Sequence, residues 1–513
     1  MRKVTYILSI ISFFEYNSFA GNGTDSLVLF SDLNYHSEFE KEVIYNFVKH
    51  GTDTFNLFLA IDENMTSEKA DRLYNVYLKV LDELYEKKIS SKKIDKQVQA
   101  AYRIIQDHFF KEYNTDEYFP VMLESGAYNC VSASMMFSLV FDRLGIPYKV
   151  MASPERVYLI SNPGQDSIIV EAKNPSYEKN VFTDKFKQQY VYYLHSSGLI
   201  NESDYKNRSF VELFEQYYYQ VREVGLYNLP GFQYYNKAIY NLLNKEKKDA
   251  YELCQKAWFF YQGQQVKTLL YTSLLPLMEQ CSFDKVPDID YLACLSRFEN
   301  VGLNTINGIF NNILANYLQH TGKEEYCDSL YRRLVSQVSD KSYLDEISFS
   351  YYLQLGYHYR STDKMENFIA NALRIKGDNH DAIVMMENHL RGKLNNINNS
   401  YALLDTVLVM KKKYDFAPIL PILEEYQAIA YLRIAGELSL QKDIKSGEEY
   451  LEQFENICKI PFTNQMIGYW VEKTYRSFAV YYFYKNDKAK AGSFVERGLK
   501  YVPGSELLKS AVY

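Results

Sequence analysis

One spacing of small and aromatic residues recurs in the second half of the chain and constrains the fold more than any other feature. Near the C-terminus the spacing is filled by Tyr475, Phe478, Ala479, Tyr482, Ala491, Val495 and Pro503. The same intervals separate Tyr234, Ala238, Ala250, Cys254 and Ala257. Small residues at fixed intervals are typical of helix pairs that approach closely, with aromatic rings filling the groove between them. The sequence therefore predicts an array of repeated helices.

This spacing resembles the tetratricopeptide repeat (TPR), with the pattern aromatic-x2-Leu-Gly-x2-Tyr, then Ala-x3-Phe, then Pro. Gly498 takes the place of the usual second-helix alanine. Two weaker copies contain Leu314, Ala315, Cys327 and Tyr331, and Tyr352, Leu355, Gly356 and Tyr359. In the latter the second helix arrives about three residues early, and residues 425–460 hardly match the pattern. The resemblance implies an all-α TPR-like solenoid over residues 226–513 that binds partners on a concave face; the alternative is a helical array of another type.

Between residues 126 and 175 the pattern changes from helical to mixed. A helix is predicted over about residues 131–144 and ends at Gly145, a natural C-terminal cap. Three short β-rich pieces follow, at residues 146–151, 157–160 and 168–171. Turn residues Asn162-Pro163-Gly164 separate the last two pieces. A single helix followed by short strands predicts an α+β unit.

This segment resembles the transglutaminase-like superfamily of papain-type cysteine enzymes. In that family a cysteine begins a helix that ends near Gly-Ile-Pro, a histidine opens the next strand, and an aspartate ends the strand after that. Here Cys130 and Gly145-Ile146-Pro147 match. The resemblance implies an α+β domain over residues 21–225 with Cys130 at the nucleophile position. A thiol at a helix N-terminus also feels the positive end of the helix dipole, which favours the thiolate.

The remaining positions of the resemblance depart from the family. Arg156 stands at the histidine position and Asn174 at the aspartate position. Arginine stays protonated near neutral pH, so it cannot act as the general base that activates a thiol. Glu155 is one residue away on a strand and points to the opposite face. His108 and His195 lie in the wrong part of the chain order, and we expect surface or core roles for them.

Composition excludes several classes of protein. With 57 Lys+Arg against 64 Asp+Glu the net charge is −7, so we expect no nucleic-acid partner. The six cysteines form no CxxC pair and the eight histidines are scattered, so we expect no metal site and no cofactor. Cys254, Cys281, Cys294 and Cys327 could supply one disulfide. The 49 tyrosines suit long amphipathic helices, because the ring packs inside while the hydroxyl stays hydrated.

The N-terminus has the pattern of an export signal. Arg2 and Lys3 precede an apolar run at residues 4–14, and Ser18-Phe19-Ala20 forms a small-residue cleavage site. A buried N-terminal strand or helix is the alternative. No later run reaches the roughly 18 apolar residues of a membrane span, so we expect none in the mature chain. The sequence predicts a signal peptide at residues 1–20 and a periplasmic or extracellular protein.

Together these features predict a mostly helical, exported interaction or scaffold protein. It would combine an inactive transglutaminase-like domain with a TPR-like array that binds a protein or peptide partner. The alternative is an active papain-type cysteine peptidase or acyl-transferase that uses Cys130.

Overall fold

The computed structural model describes residues 26–51, 53–153, 156–163, 167–172, 184–196, 200–218, 221–299, 301–320, 323–458 and 460–512. Helix accounts for 72% and strand for 4%, which confirms the prediction of a mostly helical chain. The predicted signal peptide, Glu155 and Asn174 lie outside the described residues.

Contacts divide the chain into two compact units. The first comprises Met1–Ile306 with Arg332–Ser339, and the second comprises Asn307–Tyr331 with Asp340–Tyr513. The boundary predicted at residue 225 stays a prediction, because units defined by contacts need not coincide with repeats or ancestral domains.

Nine helices precede the repeat region in the described part of the chain. They are α1 (Glu38–His50), α2 (Thr54–Leu59), α3 (Ser67–Glu86), α4 (Ile94–Phe109), α5 (Phe119–Ser125), α6 (Cys130–Leu144), α7 (Asp184–Ser196), α8 (Glu202–Asn207) and α9 (Phe210–Tyr218). Side chains cap several of them: Ser37 and Thr66 accept backbone amide hydrogens at the starts of α1 and α3. On α3 the buried residues recur every three or four positions, as at Leu73, Tyr77 and Leu84, which gives one core-facing side.

Within the described residues, six short strands form two sheets. They are β1 (Glu112–Tyr113), β2 (Ala127–Tyr128), β3 (Tyr148–Ala152), β4 (Val157–Ser161), β5 (Ile168–Val170) and β6 (Arg222–Val224). β1 and β2 pair in parallel. The other four form an antiparallel sheet in the order β5-β4-β3-β6. β3, β4 and β5 are the three pieces predicted from sequence, with ends shifted by at most two residues.

Helix α6 packs on the antiparallel sheet. The Ser134 hydroxyl donates to the Val157 carbonyl at 3.2 Å, which fixes the first turn of α6 against the start of β4. The helix ends at Gly145, whose φ of 67° is the left-handed conformation expected of a C-terminal glycine. Residues of α6 from Val131 to Phe141 are buried, so this helix is the centre of the first unit's core.

The rest of the described chain is helical. Its helices are α10 (Leu229–Leu243), α11 (Lys247–Phe260), α12 (Gln264–Gln280), α13 (Asp290–Leu295), α14 (Leu303–Leu318), α15 (Glu324–Gln337), α16 (Lys341–His358), α17 (Lys364–Ile375), α18 (His380–Asn395), α19 (Ser400–Lys413), α20 (Leu420–Leu440), α21 (Ile444–Ile457), α22 (Gln465–Tyr484), α23 (Lys488–Leu499) and α24 (Glu506–Lys509).

In three of the helix pairs, the two helices are joined by the same type of turn. α10 and α11, α20 and α21, and α22 and α23 are joined by turns whose left-handed residues are Lys245, Lys442 and Asn486, with φ of 68°, 66° and 66°. In each turn the next amide donates to a carbonyl five residues back, at 2.9 to 3.0 Å. This is the Schellman arrangement, which satisfies carbonyls at the end of the first helix and reverses the chain.

Small buried residues stand at the same distances from each turn. Seven residues before it lie Ala238, Ala435 and Ala479, each 0% exposed. Five residues after it lie Ala250, Gly447 and Ala491, also buried. The second of these pairs falls in residues 425–460, which hardly matched the repeat pattern. This helix pair therefore has the same turn and the same buried small residues as the other two, although its sequence hardly matches the predicted pattern.

The chain from Asp32 to the start of α1 forms ion pairs with residues of the same unit much later in the sequence. Asp32 forms an ion pair with Arg297. Glu40, in α1, accepts hydrogen bonds from Lys256 at 2.8 and 2.9 Å and from the Tyr234 hydroxyl at 2.8 Å. The Lys256 side chain is 0% exposed and that of Glu40 is 2% exposed, so this ion pair is completely buried.

Candidate functional site

Cys130 is the first residue of α6, and an ordered cap holds it there. The Asn129 side chain accepts the amides of Val131 and Ser132 at 3.0 and 2.9 Å. Its own amide group donates to the carbonyls of Thr115 and Glu117 at 3.1 and 2.5 Å. Asn129 therefore joins the first turn of the helix to the preceding loop. These hydrogen bonds hold the backbone of Cys130 in place.

The parallel pairing of β1 and β2 brings a second titratable group to the thiol. The register places Tyr113 opposite Tyr128, two residues before Cys130. The Tyr113 hydroxyl interacts with the Cys130 sulfur, and burial together with that interaction raises the tyrosine pKa. A tyrosine with a raised pKa keeps its proton, so Tyr113 acts here as a hydrogen-bond donor and cannot serve as a base near neutral pH.

The pKa of the Cys130 thiol is raised above its ordinary value. Burial is the main cause, and the nearby Glu171 carboxylate adds to it. Hydrogen bonds from the Val157 backbone and the Tyr113 hydroxyl oppose the shift but do not overcome it. The sequence argument from the helix dipole expected the opposite direction. That argument failed because the free energy of removing a thiolate from water is larger than the stabilisation that one helix N-terminus provides.

Arg156, at the family's histidine position, turns toward a carboxylate. Its guanidinium pairs with Glu171 at 3.3 Å and lies over the Tyr158 ring, 5.1 Å from the centroid. The arginine side chain is 47% exposed. The Arg156 guanidinium therefore has Glu171 as its ionic partner.

The two histidines considered from the sequence have partners elsewhere. His108 lies 2.8 Å from Glu83, and His195 lies 2.8 Å from Glu202 and stacks on Tyr205.

Sequence reasoning missed Tyr113 and Glu171. Tyr113 reaches the thiol through pairing of two-residue strands, which leave no periodic signal in the sequence. Glu171 was visible as the last residue of the third predicted strand, but its charge could be related to Cys130 only through the order of the sheet.

No known protein family can be assigned to this chain by similarity. Comparisons of the chain with models of protein families, with curated proteins and with solved structures found no match. Among the described residues, no cluster of three or more His, Cys, Asp or Glu side chains has metal-binding geometry. In the same part of the chain, no helix is long and apolar enough to cross a membrane. None of the six cysteines, all of which lie in the described part of the chain, forms a disulfide.

Proposed function

We propose that this chain is an exported interaction or scaffold protein in which a transglutaminase-like domain has lost catalysis and a TPR-like array binds a protein or peptide. The observation that carries the proposal is the neighbourhood of Cys130, where a thiol of raised pKa has a tyrosine donor and a carboxylate beside it. Thiol catalysis needs a base to take the proton and later return it to the leaving group. Tyr113 and Arg156 both hold their protons near neutral pH, so neither supplies that cycle.

The binding half of the proposal is supported by the three helix pairs that share one turn. Each pair has buried small residues at equal distances before and after its left-handed residue. Repetition of one supersecondary unit is typical of arrays that present extended binding surfaces.

Thiol reactivity tests the loss of catalysis. We expect iodoacetamide to modify Cys130 at neutral pH no faster than Cys281 and Cys458, which are also partly buried. Peptide mapping by mass spectrometry gives the three rates from one sample of the full chain. Faster modification of Cys130, together with peptide or amide turnover that Cys130→Ala abolishes, would establish the cysteine enzyme instead.

Partner capture tests the scaffold role. The full chain and Cys130→Ala should retain the same bound proteins, because the proposed array does not use the thiol. A chain that retains no protein reproducibly from its own source would contradict the scaffold function.

A further inference from the structure

Helix α22 carries aromatic and basic residues on one side, here called the α22 face, all exposed except the partly buried Trp470. Its members are Met466, Tyr469, Trp470, Lys473, Arg476 and Tyr484. Apart from the adjacent Tyr469 and Trp470, they follow one another mostly at three- or four-residue steps, which places them along one side of a helix. The row runs for roughly 27 Å at the helical rise, about the length of eight extended residues.

The apolar members of this face are more exposed than packing of the helix requires. Tyr484 is 84%, Tyr469 53% and Met466 46% exposed, although the opposite side of α22 is fully buried at Val471, Tyr475 and Phe478. Trp470 is one of only two tryptophans in the chain. Exposed aromatic residues beside basic ones are typical of interaction surfaces, where Trp, Tyr and Arg contribute most of the binding energy.

The cations of the face are not neutralised. Lys473 lies 4.8 Å from the centroid of Trp470 and 5.9 Å from that of Tyr469, and Arg433 lies 5.6 Å from Trp470. Neither Lys473 nor Arg476 has a carboxylate partner within the described part of the chain. Other cations of the same unit do: Arg497 pairs with Glu455 at 2.8 Å and Lys393 pairs with Glu366 at 2.8 Å.

We propose that the α22 face binds an acidic peptide segment that carries apolar or aromatic anchors. This inference rests on the proposed scaffold function and names its partner class. Acidic groups would neutralise Lys473 and Arg476, and apolar side chains would cover Tyr469, Trp470 and Tyr484. The chain as a whole has a net charge of −7, but charges more than about 8 Å away are screened at physiological salt, so the local cations decide.

Trp470 supplies the signal for a direct test. The second tryptophan, Trp258, is only 9% exposed and lies in the first unit, so it gives a constant background. The probe is a synthetic peptide of alternating Glu and Asp with a central Leu-Phe pair, titrated into the full chain while tryptophan fluorescence is followed. We expect saturable binding that weakens as salt is raised, and no binding of the same peptide with Lys in place of every acid.

Charge reversal locates the site. The double substitution Lys473→Glu and Arg476→Glu should weaken binding by about tenfold or more, because attraction becomes repulsion at two exposed positions. Lys445→Glu is the matched control: it is an exposed lysine of α21, without a carboxylate partner in the described part of the same unit, and it should leave the affinity unchanged. Equal affinity of the wild type and the double variant overturns the proposal. So does a fluorescence change with anionic phospholipid vesicles in the absence of any change with the acidic peptide.

The test of the α22 face and the test of the scaffold function can fail independently of each other. If native partners are captured equally by the wild type and the double variant, the scaffold role stands and the α22 face is not its binding site. If the peptide binds as predicted but no native partner is captured, the face is supported and the scaffold role fails.

Discussion

Cys130 lies at a helix N-terminus and receives hydrogen bonds from Tyr113 and from the backbone of Val157, yet the pKa of its thiol is raised. The end of one helix contributes about 0.3–1 kcal/mol to a nearby anion, whereas burial of an ionisable group shifts its pKa by up to several units. A positive charge facing the sulfur would be needed to lower the pKa of the thiol. Arg156 directly precedes Val157, whose backbone hydrogen-bonds to the sulfur, but the Arg156 guanidinium pairs with Glu171.

Removing the Glu171 charge should therefore lower the pKa of Cys130. Glu171→Gln abolishes the repulsion between carboxylate and thiolate and releases Arg156, so we expect the pKa of Cys130 to fall. Tyr113→Phe should raise it, because the thiolate loses a donor. The pH dependence of Cys130 alkylation measures both shifts. An unchanged profile in Glu171→Gln would mean that this carboxylate does not act on the thiol.

In the second unit, the ionisation of Glu366 should make the free energy of unfolding depend on pH. Burial alone would raise the pKa of this carboxyl, but hydrogen bonds from Lys393, Tyr414 and Lys413 lower it from its ordinary 4.5 to about 2. A lowered carboxyl pKa stabilises the fold fully above the unfolded value and loses that contribution as the pH falls toward the folded value. The contribution should accordingly vanish between pH 4.5 and about 2.

Urea unfolding followed by Trp470 fluorescence, at about pH 6 and about pH 3, checks this dependence. The difference in stability between the wild type and Glu366→Gln should shrink at the lower pH. A constant difference would contradict the lowered pKa.

Among the elements, those with local sequence signals were predicted well. Helix α6 starts after the capping residue Asn129 and ends at Gly145, and both residue types mark helix ends by their own hydrogen bonding or backbone conformation. β1 and β2 have two residues each and β6 has three, too few for alternation to be visible. The copy in α20 and α21 was missed because its second helix carries Leu451 and Phe454 where the first copy has Cys254 and Ala257.

Gly498 and Gly492 provide a matched test of close helix packing within α23. A Cβ at Gly498 would lie 2.9 Å from Leu508 Cδ1 and 3.0 Å from Tyr475 Cβ, whereas a Cβ at Gly492 would meet no atom within 4 Å. Gly492→Ala should stabilise the second unit by about 0.5–1 kcal/mol through helix propensity. Gly498→Ala gains the same propensity, but crowding of about 1–3 kcal/mol should make it net destabilising. Chemical denaturation measures both, and equal effects would exclude tight packing at Gly498.

At the scale of the whole molecule, each compact unit has a core and a tryptophan of its own. One buried cluster includes Phe58, Phe137 and Phe232 of the first unit, and another includes Leu390, Leu432 and Phe478 of the second. Trp258 belongs to the first unit and Trp470 to the second. Trp258→Phe and Trp470→Phe therefore each leave a single fluorescent reporter.

Lys256→Met should destabilise the first unit by about 3–5 kcal/mol, because Glu40 would remain buried without its counter-ion. Lys149→Met is the matched control: its pair with Glu223 is exposed, at 45% and 55%, and should contribute no more than about 1 kcal/mol. Urea unfolding followed through Trp258 should show the loss, and the transition followed through Trp470 should not move. Equal shifts of the two transitions would show that the units unfold together.

The ties of the N-terminal segment also set an order of events during synthesis. Asp32 and Arg297 are 265 residues apart, and Glu40 and Lys256 are 216 apart. At ribosomal rates of 5–20 residues per second, Asp32 waits roughly 13 to 53 seconds for its partner to be made. During that time both carboxylates are hydrated and cannot form the contacts that close the first unit. The ion pairs of Asp32 and Glu40 can therefore form only after residues 297 and 256 have been made, so the first unit is completed late.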